Sequence, residues 1–88
     1  MEISVEISMY PLDAAFEQVI LDFIATLRQF EGLKIKTNSM STQVFGPFDR
    51  VHEAIQSSMR HSFEKEEKVV MVMKYINAKL DYEFKNPE

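Results

Sequence analysis

Cysteine and tryptophan are absent from this 88-residue chain, glycine occurs twice and proline three times. Without cysteine there are no disulfides, thiolate zinc sites, iron–sulfur clusters or cysteine nucleophiles. With Gly32 and Gly46 as its only glycines, the chain cannot build a phosphate-cradling loop of the P-loop or dinucleotide type, so no nucleotide cofactor, and no other cofactor, is expected. The longest purely apolar run, Val69 to Met73, is far short of the roughly 20 residues that span a bilayer. No membrane association is expected. The N-terminus Met1-Glu2-Ile3-Ser4-Val5-Glu6 has no basic segment ahead of an apolar one, so no signal peptide is expected and the expected location is cytoplasmic. Cations are also in short supply. Ten Lys and Arg against fourteen Asp and Glu leave a net charge of −4, which argues against a nucleic-acid partner because phosphate contacts need clustered cations.

What is present is 45% apolar and 27% charged, the composition of a globular chain with room for one core. A single domain over 1–88 is expected, with its core in about 1–77 and a tail over 78–88. A domain of this size buries only about 60% of the surface its unfolded chain exposes, so its stability is expected to be marginal unless subunits associate.

Hydrophobic periodicity divides the chain into six elements. Ile3, Val5, Ile7 and Met9 alternate with Ser4, Glu6 and Ser8 as a half-buried strand, which Tyr10-Pro11-Leu12 is expected to stop. Asp13 suits an N-cap, and Phe16, Val19, Ile20, Phe23, Ile24, Leu27 and Phe30 then follow the 3.6-residue period of a helix. Gly32 closes it. Leu33, Ile35 and Thr37 alternate with Lys34 and Lys36 in a second strand. A tight turn at Asn38-Ser39 leads to a third, in which Met40, Thr42 and Val44 alternate with Ser41, Gln43 and Phe45. After Gly46-Pro47-Phe48-Asp49, the positions Val51, Ala54, Ile55, Ser58, Met59 and Phe63 mark a second helix. Glu64 to Lys68 reads as its end and a solvated turn, and Val69 to Ile76 as the last strand. The tail from Asn77 extends that strand, crosses to a partner or frays.

The order β-α-β-β-α-β is the ferredoxin-like plan, an α+β sandwich of a four-stranded antiparallel sheet with two helices on one face. The other face is open and carries Ser4, Glu6 and Ser8 on the first strand and Ser41 and Gln43 on the third. On the last strand either Val69, Met71, Met73 and Tyr75 or Val70, Val72 and Lys74 share it, and periodicity leaves both choices open. The RNA-recognition module has the same order, but it needs aromatics on its central strands where this chain has Ser4-Val5-Glu6 and Ser41-Thr42-Gln43.

Catalytic constellations are scarce. His52 and His61 are nine residues apart, a spacing that does not bring two ligands onto one metal, and no metal site is expected. No serine stands in a nucleophile-elbow motif, so no enzyme is expected. Glu2 and Glu6 are about 13 Å apart along one strand, too far for a carboxylate pair. Glu6 is unusual as an acid on the open face of a central strand. It is either matched by Lys34 or Lys36 or reserved for the amine or cation of a ligand. The methionines read as core filler. Tyr10, Phe45, Phe48 and Tyr75, near strand ends, could wall a ring-shaped ligand.

The stretch Ile3-Ser4-Val5-Glu6-Ile7-Ser8-Met9-Tyr10-Pro11-Leu12, then Met40-Ser41-Thr42 through Gly46-Pro47-Phe48-Asp49-Arg50-Val51 to Glu53-Ala54-Ile55, resembles the thiamine-binding protein family typified by YkoF. The resemblance covers nearly the whole length. It implies a ferredoxin-like module that binds thiamine or its hydroxymethylpyrimidine part without catalysis, in thiamine supply or salvage. It also implies assembly, since some relatives carry two modules in tandem while single modules form dimers or tetramers. Pro47 departs from the pattern, standing where relatives often have an acidic residue after the glycine. An aminopyrimidine wants a carboxylate or hydroxyls at its edge and an aromatic ring or methionine against its plane, and a thiazolium cation wants an acid and an aromatic wall. Glu6, Ser8, Tyr10, Asn38, Ser41 and Thr42 are the residues expected to supply them. The alternative reading is a structural or regulatory small-molecule-sensing domain whose open face is only an oligomer interface.

Overall fold

The computed structural model describes residues 1–12, 15–65 and 68–82. Its elements run β1 (Glu2–Pro11), α1 (Phe16–Leu27), β2 (Lys34–Thr37), β3 (Thr42–Pro47), α2 (Phe48–Lys65) and β4 (Val69–Ile76). The four strands form one antiparallel sheet in the order β2-β3-β1-β4, the ferredoxin-like arrangement expected from the periodicity. The two long strands, β1 and β4, pair over eight residues from Ser4–Ile76 to Pro11–Val69.

Burial follows the alternation of β1. Ile3, Val5 and Ile7 turn to the helices and join Phe23 and Leu27 of α1, Val44 of β3, and Val51, Ala54 and Ile55 of α2 in the core. Met59, Met71 and Met73 pack against that cluster. Because Glu6 pairs with Lys74 and Ser8 with Val72, the set on β4 that shares the open face is Val70, Val72 and Lys74, and the methionine-bearing set faces the helices.

Several boundaries differ from the sequence expectation, each for a local reason. β1 continues through Pro11 because the Leu12 amide donates to the Lys68 carbonyl, so the missing amide of Pro11 faces the side where β3 has already ended. α1 stops at Leu27. Gln29 and Phe30 then donate to Thr26 and Leu27 in a tightened turn, and Gly32 takes a positive φ of 83°. The N-cap position of α1 is Ala15, without a side-chain cap, while Asp13 lies outside the described residues. α2 begins at Phe48, earlier than its apolar stripe, since the Phe48 amide is held by the Met1 carbonyl. The hairpin between β2 and β3 is longer than a two-residue turn. Asn38 Oδ1 accepts from the amides of Met40 (2.8 Å) and Ser41 (3.0 Å), and the Asn38 amide donates to the Ser41 carbonyl, so Met40 sits exposed in the loop rather than in a strand.

The tail resolves differently from β4. Residues 77–82 turn back and cross the open face of their own sheet as a strap. Ser4 Oγ donates to the Ala78 carbonyl (2.6 Å) and accepts from the Leu80 amide (2.8 Å), acting as a clasp that satisfies both backbone groups. Lys36 Nζ donates to the Asp81 carbonyl (3.0 Å), Lys34 pairs with the Asp81 carboxylate (3.5 Å), and Lys79 reaches Glu2 (3.9 Å). The strap leaves Ser4 and Phe45, both on the sheet's open side, only 7% and 4% exposed.

Two expectations follow from this packing. Leu27→Ala, at a fully buried site, is expected to lower unfolding free energy by about 2–5 kcal/mol in denaturant titration. Ser4→Ala removes the clasp and leaves two backbone groups unsatisfied. A loss of about 1–3 kcal/mol is expected, with faster hydrogen exchange at the Leu80 amide, and an unchanged exchange rate there would contradict the clasp.

Candidate functional site

Two hollows flank the middle of the sheet, and the residues singled out in the sequence divide between them. The first lies at the end of the sheet, between the last residues of β1, the start of α1 and the β2–β3 hairpin, and has a volume of about 570 Å³. Ile7, Met9, Leu12, Phe16 and Ile20 supply apolar surface, and Tyr10, Asn38, Ser41 and Thr42 also line it. Four of the six expected binding residues therefore meet in one place. Tyr10 is brought there by the final turns of β1's alternation, and Asn38 and Ser41 by the side-chain-closed hairpin that Asn38 itself holds. Thr42 is 5% exposed and faces the helices, its hydroxyl 3.4 Å from that of Thr37. Phe16, Met9 and Leu12 were missing from the expected set. Phe16 carries the one available signal, as the aromatic that opens the helix stripe and stays exposed.

The second hollow lies under the strap and has a volume of about 440 Å³. Its floor is Glu6, Gln43, Lys36 and Lys74, and its walls include Phe45, Ile76, Leu80 and Tyr82. Glu6 is the fifth expected residue and belongs here. The cation on it is Lys74, with Nζ 3.2 Å from Oε1, where the sequence suggested Lys34 or Lys36. Lys74 is the cross-strand neighbour of Glu6 in the β1–β4 register, and that register is not readable before the strands are paired. Ser8, the sixth residue, pairs with Val72 on the open face between Glu6 and Tyr10 and lines neither hollow.

A hydrogen-bond chain joins the hollows. Gln43 Nε2 donates to Ser41 Oγ (2.6 Å), and Ser41 Oγ donates to Glu6 Oε2 (2.9 Å). The Ser41 bond, aided by Lys74, holds the Glu6 carboxyl below its ordinary value of 4.5. A carboxylate stabilised in this way is a weak base, so the Ser41–Glu6 pair is poorly suited to activate the hydroxyl as a nucleophile. It is well suited to present a fixed negative charge.

The aromatics expected to wall a ring are split. On the helix side His52 stacks on Tyr75 with ring centroids 5.3 Å apart and meets Phe48 in a tilted contact at 4.3 Å, while Phe45 lies under the strap with Lys36 Nζ 5.9 Å from its ring centre. Only Tyr10 among the four lines the first hollow. Among the described residues, no helix is long and apolar enough to cross a membrane.

Comparison with known proteins agrees with this architecture. The chain is similar to the hypothetical protein MJ1052 of Methanocaldococcus jannascii at 25% identity and a TM-score of 0.76, over 93% of this chain and 84% of that one. Protein SP2199 of Streptococcus pneumoniae superposes with a TM-score of 0.81 at 20% identity, covering 91% and 90% of the two chains. TM0486 of Thermotoga maritima, provisionally assigned to thiamine biosynthesis or salvage, gives a TM-score of 0.74 at 18% identity over 85% and 82%. No curated protein matches the sequence significantly. The family model described as Thiamine-binding protein matches residues 5–86, nearly the whole chain, and the protein therefore belongs to the thiamine-binding protein family.

Proposed function

We propose that the chain is a single, non-enzymatic module that binds thiamine or its hydroxymethylpyrimidine part in the hollow at the end of the sheet, in a role in thiamine supply or salvage. The observation that carries this reading is the convergence of Tyr10, Asn38, Ser41 and Thr42 on one hollow of about 570 Å³, within the usual size of a small-ligand site. Methionine and aromatic surface from Met9, Tyr10 and Phe16 suits the flat face of the ring. With the Ser41 hydroxyl proton given to Glu6 and Asn38 Oδ1 taken by two backbone amides, the Asn38 Nδ2 group and the Thr42 hydroxyl are the groups that offer hydrogen bonds to its edge. Family membership and the provisional assignment of TM0486 to thiamine biosynthesis or salvage support the ligand class.

The exposed apolar residues Tyr10, Val70 and Val72 lie on the half of the open face that the strap leaves uncovered, and they favour a homodimer or homotetramer built on that half. The same patch supports the second reading, in which the face serves only assembly. A cytoplasmic location fits either.

Titration calorimetry with hydroxymethylpyrimidine tests the proposal. Heat of binding is expected for the native chain. Thr42→Val keeps the shape and removes the hydroxyl, and is expected to weaken binding about 10-fold. Binding that is absent in the native chain, or unaltered in Thr42→Val and Asn38→Ala alike, would remove this hollow as the site. Sedimentation of the native chain as a monomer would remove the assembly.

A further inference from the structure

The strap lies on the open face as a bound peptide would, and the groups that read it belong to the sheet. Ser4 Oγ of β1 takes backbone groups two residues apart, donating to the Ala78 carbonyl at 2.6 Å and accepting from the Leu80 amide at 2.8 Å. On β2, Lys36 donates to the Asp81 carbonyl at 3.0 Å and Lys34 pairs with the Asp81 carboxylate at 3.5 Å. Glu2 stands 3.9 Å from the Lys79 ammonium. Leu80 and Tyr82, on either side of Asp81, line the hollow together with Phe45 and Ile76. They do not fill it. Leu80 is 42% and Tyr82 59% exposed, and about 440 Å³ stays open beside them. Space left against apolar walls forfeits dispersion contact, and ion pairs between half-exposed groups add little, so the strap is an imperfect and displaceable occupant.

None of these sheet groups requires that the segment they hold belong to the same chain. We propose that the groove under the strap is a docking site for an extended acidic segment of another protein, and that the chain's own strap is the competitor that occupies it in the free protein. The segment that fits carries a carboxylate for Lys34 between two apolar side chains, at least one of them bulkier than Leu80, and offers its backbone to Ser4 and Lys36. Charge complementarity with the lysines of β2 selects the acid, and the unfilled hollow selects the bulk. The end hollow takes no part, since no strap residue lines it. Docking here is therefore independent of pyrimidine binding there.

The probe is a fluorescently labelled peptide with the sequence of Asn77 to Tyr82, titrated by anisotropy against the full chain. Weak binding is expected for the native chain, because the strap leaves only a fraction of grooves vacant. Asp81→Asn in the chain weakens the competitor and is expected to tighten peptide binding about 3-fold. Adding Lys34→Glu to that variant, whose strap no longer carries the acid, is expected to weaken the peptide about 10-fold. The same peptide with Leu80→Phe is expected to bind about 3-fold tighter than the strap sequence. Saturating peptide is expected to speed hydrogen exchange at the Leu80 amide of the native chain, as the strap leaves Ser4. Equal affinity in the native chain and Asp81→Asn, or exchange at Leu80 unchanged by peptide, overturns the proposal, as does failure of Asp81→Asn to bind either peptide. An Asp81→Asn chain that binds no peptide but sediments as a larger assembly than the native chain assigns the groove to a second copy and overturns this occupant.

Discussion

The register of β1 between β3 and β4 is the constraint on which the rest of the structure depends. β1 is flanked on both sides, and its strict alternation buries Ile3, Val5 and Ile7 against the helices while presenting Ser4, Glu6 and Ser8 to the opposite face. A slip of one residue would exchange the two sets, placing a carboxylate in the core and isoleucines in water. Every functional feature inherits that register. Ser4 stands where the strap can reach it, Glu6 stands between Gln43 and Lys74, and Tyr10 stands at the rim of the end hollow.

The open face of a ferredoxin-like sheet is its chemically undetermined surface, since the helices claim the other. Here it is divided. Over one half the chain's own strap supplies the cover, held by a serine that satisfies two backbone groups and by lysines of β2 that take the carboxylate and carbonyl of Asp81. Over the other half, valines of β4 and Tyr10 remain exposed. The acidic net charge of the chain is not reflected on the covered half, where Lys34, Lys36, Lys74 and Lys79 gather around Glu2, Glu6 and Asp81.

Within that surface, a short polar chain from Gln43 through Ser41 to Glu6 gives one carboxylate a fixed direction and a lowered proton affinity. Ser41 bonds one oxygen of that carboxylate, and the exposed ammonium of Lys74 stands beside the other. The end hollow, with apolar walls and a few hydroxyl and amide groups, complements it.

Much of this was legible in the residues alone, because element type follows local periodicity: the alternation of Ile3 to Met9 and the 3.6-residue stripe from Phe16 to Leu27 each state a face without reference to the rest of the chain. The fold order and the open polar face follow from those patterns. What depends on pairing was not legible. The cation beside Glu6 is Lys74 because β4 runs antiparallel to β1 in one register, and Met71 and Met73 face the helices for the same reason. The length of the hairpin turns on side-chain bonds from Asn38, and the return of the tail across its own sheet turns on Ser4, 76 residues away from the Leu80 amide it accepts. Local sequence dictates which face a side chain takes, whereas only the assembled sheet decides which distant residue stands opposite it.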